Sequence, residues 1–170
     1  MKKFLPAFIC GFAAGVLNIV PVVKSFSCCV VIPAAAIFSL ILFQKAGNNF
    51  SHIKASEAAL FGLLTGIFSA LFGSLFDILI IFVTHTSDIS TSLSEVEKMI
   101  GDLPASPIWK EVMDLMYKIA DDINKYGFSF VYFIAIFSSS LIVNSLFGIA
   151  GGLIGMQILN NKNKNKNIHQ

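Results

Sequence analysis

The sequence predicts an all-α integral membrane protein: a bundle of four transmembrane helices, with an extracytoplasmic amphipathic helical hairpin between spans 3 and 4. Of its 170 residues, 55% are hydrophobic and only 13% are charged, whereas soluble domains carry roughly a quarter charged residues. The mean hydropathy is +0.77, and the charges lie at the ends of long apolar runs. This distribution is typical of a chain folded in lipid.

Four apolar runs are long enough to cross the hydrocarbon of a bilayer, which takes about 20 helical residues. The first run exceeds the roughly 7–15 apolar residues of a cleaved signal peptide, so we expect it to remain as a helix. Pro21 and Pro33 predict kinks around the first hairpin, and the alternative there is a short wedge in place of two full spans. Within a single membrane domain over 1–159, the predicted spans are 4–23, 26–43, 58–83 and 128–158.

The lysines predict how the chain is oriented, because lysines near the ends of membrane segments favour the cytoplasmic side. The other side would carry Lys24 and then the segment 84–126, which has four lysines and eight acids. We therefore expect a multi-pass protein of the cell (inner) membrane with both termini cytoplasmic. If four helices alternate in direction, seven lysines share the inner side: Lys2, Lys3, Lys45, Lys54, Lys162, Lys164 and Lys166.

The segment 84–126 has the pattern of two amphipathic helices. Two capping-box pairs, Ser92 with Glu95 and Ser94 with Glu97, predict the start of the first. Pro107 is well suited to the first turn of the second. Apolar residues recur at helical spacing on the second helix: Ile108, Val112, Leu115, Met116, Ile119 and Ile123.

Two interpretations of this outer segment stay open. The helices either cap the bundle or form a surface that binds a membrane-protein partner or a second copy, with Trp109 as the anchor. The polar face of the second helix is slightly acidic, unlike the basic face of helices that bind anionic membranes. After the last span, the polar residues 160–170 predict a disordered cytoplasmic tail.

Small residues four positions apart lie along three of the predicted spans and favour close helix packing. The first span has Ala7, Gly11 and Gly15, and the alternatives to tight packing are a gating helix or a dimer face. The later spans carry Gly62, Gly66, Ala70 and Ser74 in the third, and Ser140, Asn144, Gly148 and Gly152 in the fourth.

Asp77 is the one carboxylate inside a predicted span, on the same helix face as the small residues. Lys24 in the first outer loop and Asn18 near the end of the first span lie at a similar depth. We expect an ion pair with Lys24 as the main interpretation, with an ion or proton site and simple interfacial placement as alternatives. Asn144, in the middle of the fourth span, can hydrogen-bond to another helix.

The cysteines carry only a weak metal or redox signal. Cys28 and Cys29, with His85 and Asp77, are suitable residue types for a metal site, but adjacent cysteines lack the Cys-x-x-Cys spacing of metal and redox pairs. We expect them to be small residues that open the second span. No metal or cofactor is predicted.

Three stretches carry a family resemblance: "AAGVLNIVPVV", "SFSCCVVIPAAAIFSLILFQK" and "ASEAALFGLLTGIFSALFGSLFD". In these the chain resembles a prokaryotic family of small four-helix membrane proteins, uncharacterised in function, with glycine-rich spans and a cysteine run opening the second span. The resemblance covers about residues 11–80, with an echo at 148–155. It implies four spans, and it implies no catalytic residue.

The expected function is that of a non-enzymatic scaffold or accessory protein in the membrane. The alternative is a small channel or transporter subunit that uses Asp77 and Asn144. The net charge of +2 and the absence of a basic patch with interleaved aromatics exclude neither, but they disfavour a nucleic-acid partner.

The predicted topology can be tested by labelling. A cysteine introduced near residue 100, in a chain without its native cysteines, should react with a membrane-impermeant maleimide added outside intact cells. A cysteine introduced at Lys54 should react only after the membrane is opened, because the lysine-rich side is expected to be cytoplasmic. Labelling in the opposite order would overturn the orientation.

Overall fold

The computed structural model is all-helical over the residues that it describes. Residues 4–20, 26–47, 52–84 and 107–168 are described, with the single positions 23, 93 and 98; at Cys28, Pro107 and 165–168 the backbone alone is described. No strand occurs within these ranges, as the sequence predicts. The helices are α1 Leu5–Leu17, α2 Ile32–Gly47, α3 Ala55–Thr84, α4 Pro107–Tyr126 and α5 Phe130–Ile168, and a π-helical segment, Ser27–Val31, precedes α2.

Three helical segments in the described ranges are long and apolar enough to cross a membrane. They are Cys29–Gly47 with 19 residues, Ala55–Thr84 with 30 and Phe130–Lys164 with 35. At about 1.5 Å per residue, each reaches or nearly reaches the ~30 Å hydrocarbon thickness. This supports the prediction of a membrane protein.

The first predicted span, 4–23, is shorter in the structure than the sequence suggests. α1 has 13 residues, or about 20 Å. After Leu17 the chain tightens: the N–H of Ile19 donates to the oxygen of Val16 at 3.1 Å, and that of Val20 to Leu17 at 3.3 Å. These i→i−3 bonds end the α-helix, so α1 is shorter than the three helical segments that are long enough to cross a membrane.

The start of α2 is shaped by Pro33. Ile32 donates its N–H to the oxygen of Ser27, which is the i→i−5 pattern of a π-helix. Proline has no N–H to donate, and its ring crowds the carbonyl one turn earlier. A wider turn before Pro33 accommodates both effects. The predicted span 26–43 is helical in the structure, with the π-helical segment first and the α-helix α2 from Ile32.

The described chain packs as two compact units, and the single membrane domain over 1–159 stays a prediction. The first unit holds residues 1–76 and 137–170, and the second holds 77–136. Two apolar clusters follow this division. In the first unit the buried residues are Ala7, Leu40, Ile53, Ala58, Phe61 and Leu159; in the second they are Ile81, Ile119, Ile123 and Tyr132.

Within the first unit, α3 and α5 run antiparallel with their backbones in contact. A Cβ added to Gly62 would overlap the carbonyl oxygen of Gly148, and one added to Gly148 would overlap that of Gly62. The contact continues one turn away on each side, where Gly66 faces the carbonyl of Asn144 and Gly152 faces that of Ala58. Only residues without a bulky side chain permit this approach.

The shorter helices pack on the two long ones in the same manner. A Cβ on Gly11 of α1 would lie 2.6 Å from Phe68 Cβ, and one on Gly15 would lie 2.8 Å from Phe72 Cβ. The residue numbers of the contacting positions increase together along the two helices, so α1 and α3 are parallel.

The second short helix, α2, packs against α5 of the same unit. Gly151 approaches the backbone of Pro33, and a Cβ on Gly155 would lie 3.2 Å from Ile37 Cα. This register makes α2 and α5 parallel. Successive helices of the first unit therefore alternate in direction.

In the second unit, α4 begins at Pro107 as predicted and packs through only part of its apolar stripe. Ile119 and Ile123 are buried with Ile81 and Tyr132. The helix ends at Gly127, whose φ of 68° lies in the left-handed region that glycine adopts without steric cost. The N–H of Gly127 donates to the oxygen of Ile123 at 2.8 Å.

The first helix of the predicted outer hairpin lies outside the described residues, apart from positions 93 and 98. On the polar face of α4, Lys125 donates to Asp121 at 2.6 Å. That hydrogen bond, with the negative charge of Asp121, raises the pKa of Lys125. Both side chains are exposed, so the pair adds little to stability.

The predicted disordered tail over 160–170 differs from the structure, in which α5 continues to Ile168. Residues 169 and 170 lie outside the described residues. Extending an existing helix costs far less than starting one, so the polar repeat of Asn and Lys can continue the helix begun by the apolar run.

Substitution of Gly62 tests the backbone contact. Gly62→Ala should destabilise the protein by roughly 1–3 kcal/mol, because the new methyl group meets the backbone of α5 and not a movable side chain. The measurement is the midpoint of thermal or SDS unfolding in mild detergent.

Gly73→Ala in the same helix is the matched control for this test. Its Cβ would meet Asn18 Nδ2 at 3.4 Å, which is an ordinary contact, so stability should change little. Equal effects of the two substitutions would contradict the proposed importance of the α3–α5 contact.

Candidate functional site

The sequence predicts a possible polar cluster of four residues: Asp77, Lys24, Asn18 and Asn144. Lys24 lies outside the described residues, so the ion pair between Lys24 and Asp77 stays a prediction. Asp77 is half-buried on α3 and belongs to the second unit. Asn18 and Asn144 both belong to the first unit.

Asn18 joins the end of α1 to the segment that follows it. Its backbone N–H donates to the oxygen of Ala14 at 3.1 Å, and its side-chain oxygen accepts a hydrogen bond from the hydroxyl of Ser27. The amide nitrogen lies over Gly73 of α3. Asn18 therefore links α1, the π-helical segment and α3 at one end of the first unit.

Asn144 is buried, with 7% of its surface exposed. Its backbone carbonyl faces Gly66 across the contact between α3 and α5. The position is therefore one of close packing, and the interface at this level has no space for a solute between the two backbones.

Several hydroxyls lie in the interior of the first unit. Thr65 donates its hydroxyl to the oxygen of Phe61 at 2.8 Å within α3. The hydroxyls of Ser39, Ser69 and Ser74 are buried and have no hydrogen-bond partner in the structure. These serines are small enough to allow close helix approach, and each carries the cost of an unsatisfied hydroxyl.

The weak metal signal of the cysteines falls partly outside the described residues. The side chain of Cys28 and the whole of His85 lie outside the described residues. The Cys10 side chain is buried, and that of Cys29 is exposed. In the described ranges, no three residues among His, Cys, Asp and Glu come together in a way that would hold a metal ion.

Asn160 is a structural residue that the sequence analysis misses. Its side-chain oxygen accepts a hydrogen bond from the N–H of Ile53 at 2.9 Å, and its nitrogen donates to the oxygen of Ile53 at 3.1 Å. The side-chain amide thus satisfies both backbone groups of one buried residue, 107 positions away. This contact joins the segment before α3 to the C-terminal part of α5.

His52 extends this attachment. Its Nε2 lies 3.3 Å from Asn160 Nδ2, and because an amide nitrogen can only donate, Nε2 must accept. No sequence signal marks Asn160, because it stands at the start of an asparagine-rich polar repeat.

Comparison with known proteins adds no relative. No protein-family model matches the chain, and neither the curated proteins nor the solved structures give a match. The four-helix family to which the sequence was likened stays a resemblance.

The chemistry of these positions is that of hydrogen bonding and packing. The Asn18 amide joins α1 to the π-helical segment nine residues further on. The Asn160 amide joins α5 to the segment before α3, 107 positions away, and Asn144 lies at a backbone contact. The arrangement can fix the register of four helices in the first unit.

Replacing Asn160 tests its attachment to Ile53. Asn160→Ala should destabilise the protein by about 1–3 kcal/mol, because the buried N–H and carbonyl of Ile53 lose their partners. Unfolding in mild detergent gives the free energy, and hydrogen exchange at Ile53 should become faster.

Asn161→Ala is the matched control, since Asn161 is the exposed neighbour in the same helix. It should leave both the unfolding free energy and the exchange at Ile53 unchanged. If Asn160→Ala behaved like this control, the amide contact would have no structural role.

Proposed function

We propose that this chain is a non-enzymatic scaffold or accessory protein of the cell membrane. In this proposal it has four membrane-spanning helices, cytoplasmic termini and an outer helical hairpin over 84–126. The three long apolar helices support a membrane location. The alternating helix directions in the first unit are those that four successive crossings require.

The first crossing in this proposal is a short one. α1 supplies 13 residues, and its tightly turned extension through Asn18 to Val20 adds further length. A short span is accommodated by local thinning of the bilayer or by flanking residues that reach the interface, each at modest cost. The first hairpin is then a wedge set against the longer α3 and α5.

The backbone contact between α3 and α5 carries the proposal of a scaffold. Gly62 and Gly148 lie against each other's carbonyls, and Asn144 lies over Gly66. Two helices in such contact form a rigid pair that neither slides nor separates without losing the contact over several turns. Rigidity of this kind suits a protein that holds a partner in place.

The apolar stripe of α4 offers a surface for such a partner. Its C-terminal part, Ile119 and Ile123, is buried, whereas its N-terminal part remains exposed. Trp109 is 40% exposed and Ile108 is 69% exposed. We propose that a membrane-protein partner covers the exposed N-terminal part of the stripe and the adjacent Trp109. The residues covered are Ile108, Trp109, Val112 and Leu115.

A channel or transporter subunit is the second candidate. It is supported by the half-buried carboxylate of Asp77 on an apolar helix, since carboxylates in membranes commonly serve ion pathways. It ranks second because Asn144, the other residue proposed for the path, lies at a closely packed backbone contact.

Photo-crosslinking in native membranes tests the partner surface. A photoreactive amino acid at position 109 should give one defined adduct. The control position is Asp114, which is exposed on the polar face of α4. A photoreactive amino acid at position 114 should give no adduct. Equal adducts from both positions, or none from position 109, would contradict the proposal.

The energetic weight of Trp109 is a separate measurement. Trp109→Ala should weaken association with the crosslinked partner by about 2 kcal/mol, or roughly 30-fold, as expected for an aromatic anchor. The unfolding midpoint of the isolated protein should change little, because Trp109 lies outside the buried cluster of the second unit.

A further inference from the structure

An open apolar groove lies between α1 and the π-helical segment with α2, all within the first unit. Its volume is about 550 Å³, and it is lined almost entirely by carbon. Ala13 and Ala14 of α1 face Ala34 and Ala35 of α2 across it. Four alanines at this seam leave a trough where larger side chains would have filled the space.

Large apolar side chains stand at the sides of the trough. Phe38 is 60% exposed, and Leu17 and Leu42 are also exposed. All three line the groove. In a membrane-spanning hairpin such a surface faces acyl chains, and a trough with raised sides holds one chain in more contact than a flat helix surface does.

One end of the groove differs from the rest in charge. Among the described residues that line it, only Lys45 is charged, and it lies exposed in the last turn of α2. From Val30 to Lys45 the groove follows about 22 Å of helix, which is more than the ~15 Å of one hydrocarbon leaflet. An acyl chain can therefore lie in the trough while its headgroup reaches Lys45.

We infer that this groove binds an anionic phospholipid, with one acyl chain along the alanine trough and the phosphate beside Lys45. The carbon lining selects a hydrocarbon chain, and the lysine at its end favours a negatively charged headgroup. The inference rests on the proposed membrane location of α1 and α2 but not on the scaffold role.

The test uses a tryptophan reporter in the full-length protein in vesicles. The chain has a single tryptophan, so Trp109→Phe removes the background and Phe38→Trp places an indole in the groove. Brominated phosphatidylglycerol and brominated phosphatidylcholine are then compared as quenchers at equal mole fraction. The anionic lipid should occupy the site about fivefold more strongly, the factor expected for one lysine near the headgroup.

Ile142→Trp in the same Trp109→Phe background is the matched control. Ile142 of α5 is 61% exposed, nearly the same as Phe38, and it lies outside the groove. Its indole should be quenched equally by the two lipids. Lys45→Gln should remove the preference at position 38, and Lys45→Arg should keep it.

Three results would overturn the inference. Equal quenching by both lipids at position 38 would make the groove an ordinary lipid boundary. A preference that survives Lys45→Gln would have another cause. Absence of quenching by either lipid would mean that protein, from this chain or another, covers the groove.

Discussion

The close approach of the α3 and α5 backbones is the constraint on which the first unit depends. Lipid provides no hydrophobic drive between helices, so their association rests on van der Waals contact and hydrogen bonds. Ala58, Gly62 and Gly66 meet Asn144, Gly148 and Gly152 in an antiparallel register. That register places Ile53 and Asn160 side by side at one end, where the side-chain amide satisfies the backbone of the segment before α3.

Glycines also allow each short helix to pack closely on a long one: the glycines belong to α1 in its contact with α3, and to α5 in its contact with α2. α3 receives α1 at Gly11 and Gly15, and α5 receives α2 at Gly151 and Gly155. Phenylalanines complete the contact of α1 with α3, and Phe12 lies edge-to-face against Phe72 with ring centroids 5.0 Å apart. Between α1 and α2, alanines line both sides of the contact, and their small side chains leave the groove open.

The sequence predicts the long apolar helices well, because hydropathy over about 20 residues is a direct consequence of burial in lipid. It overestimates α1, since apolar composition carries no information on the tight turn after Leu17. It does not reveal the π-helical turn before Pro33, although the chain is helical throughout the predicted stretch 26–43. It misses Asn160, whose role depends on a residue 107 positions away. The proposed partner of Asp77, Lys24, lies outside the described residues, so that part of the predicted cluster stays a prediction.

The attachment of Ile53 to Asn160 has a consequence for the order of assembly. A chain is made from its N-terminus, so α3 is complete before any of α5 exists. Until residues 144–160 have been synthesised, the glycine face of α3 lacks its partner helix, and the backbone of Ile53 lacks the amide that will bind it. α5 thus provides both the packing partner of α3 and the amide that binds Ile53. A chain that lost its C-terminal quarter during synthesis would lack the contact between α3 and α5.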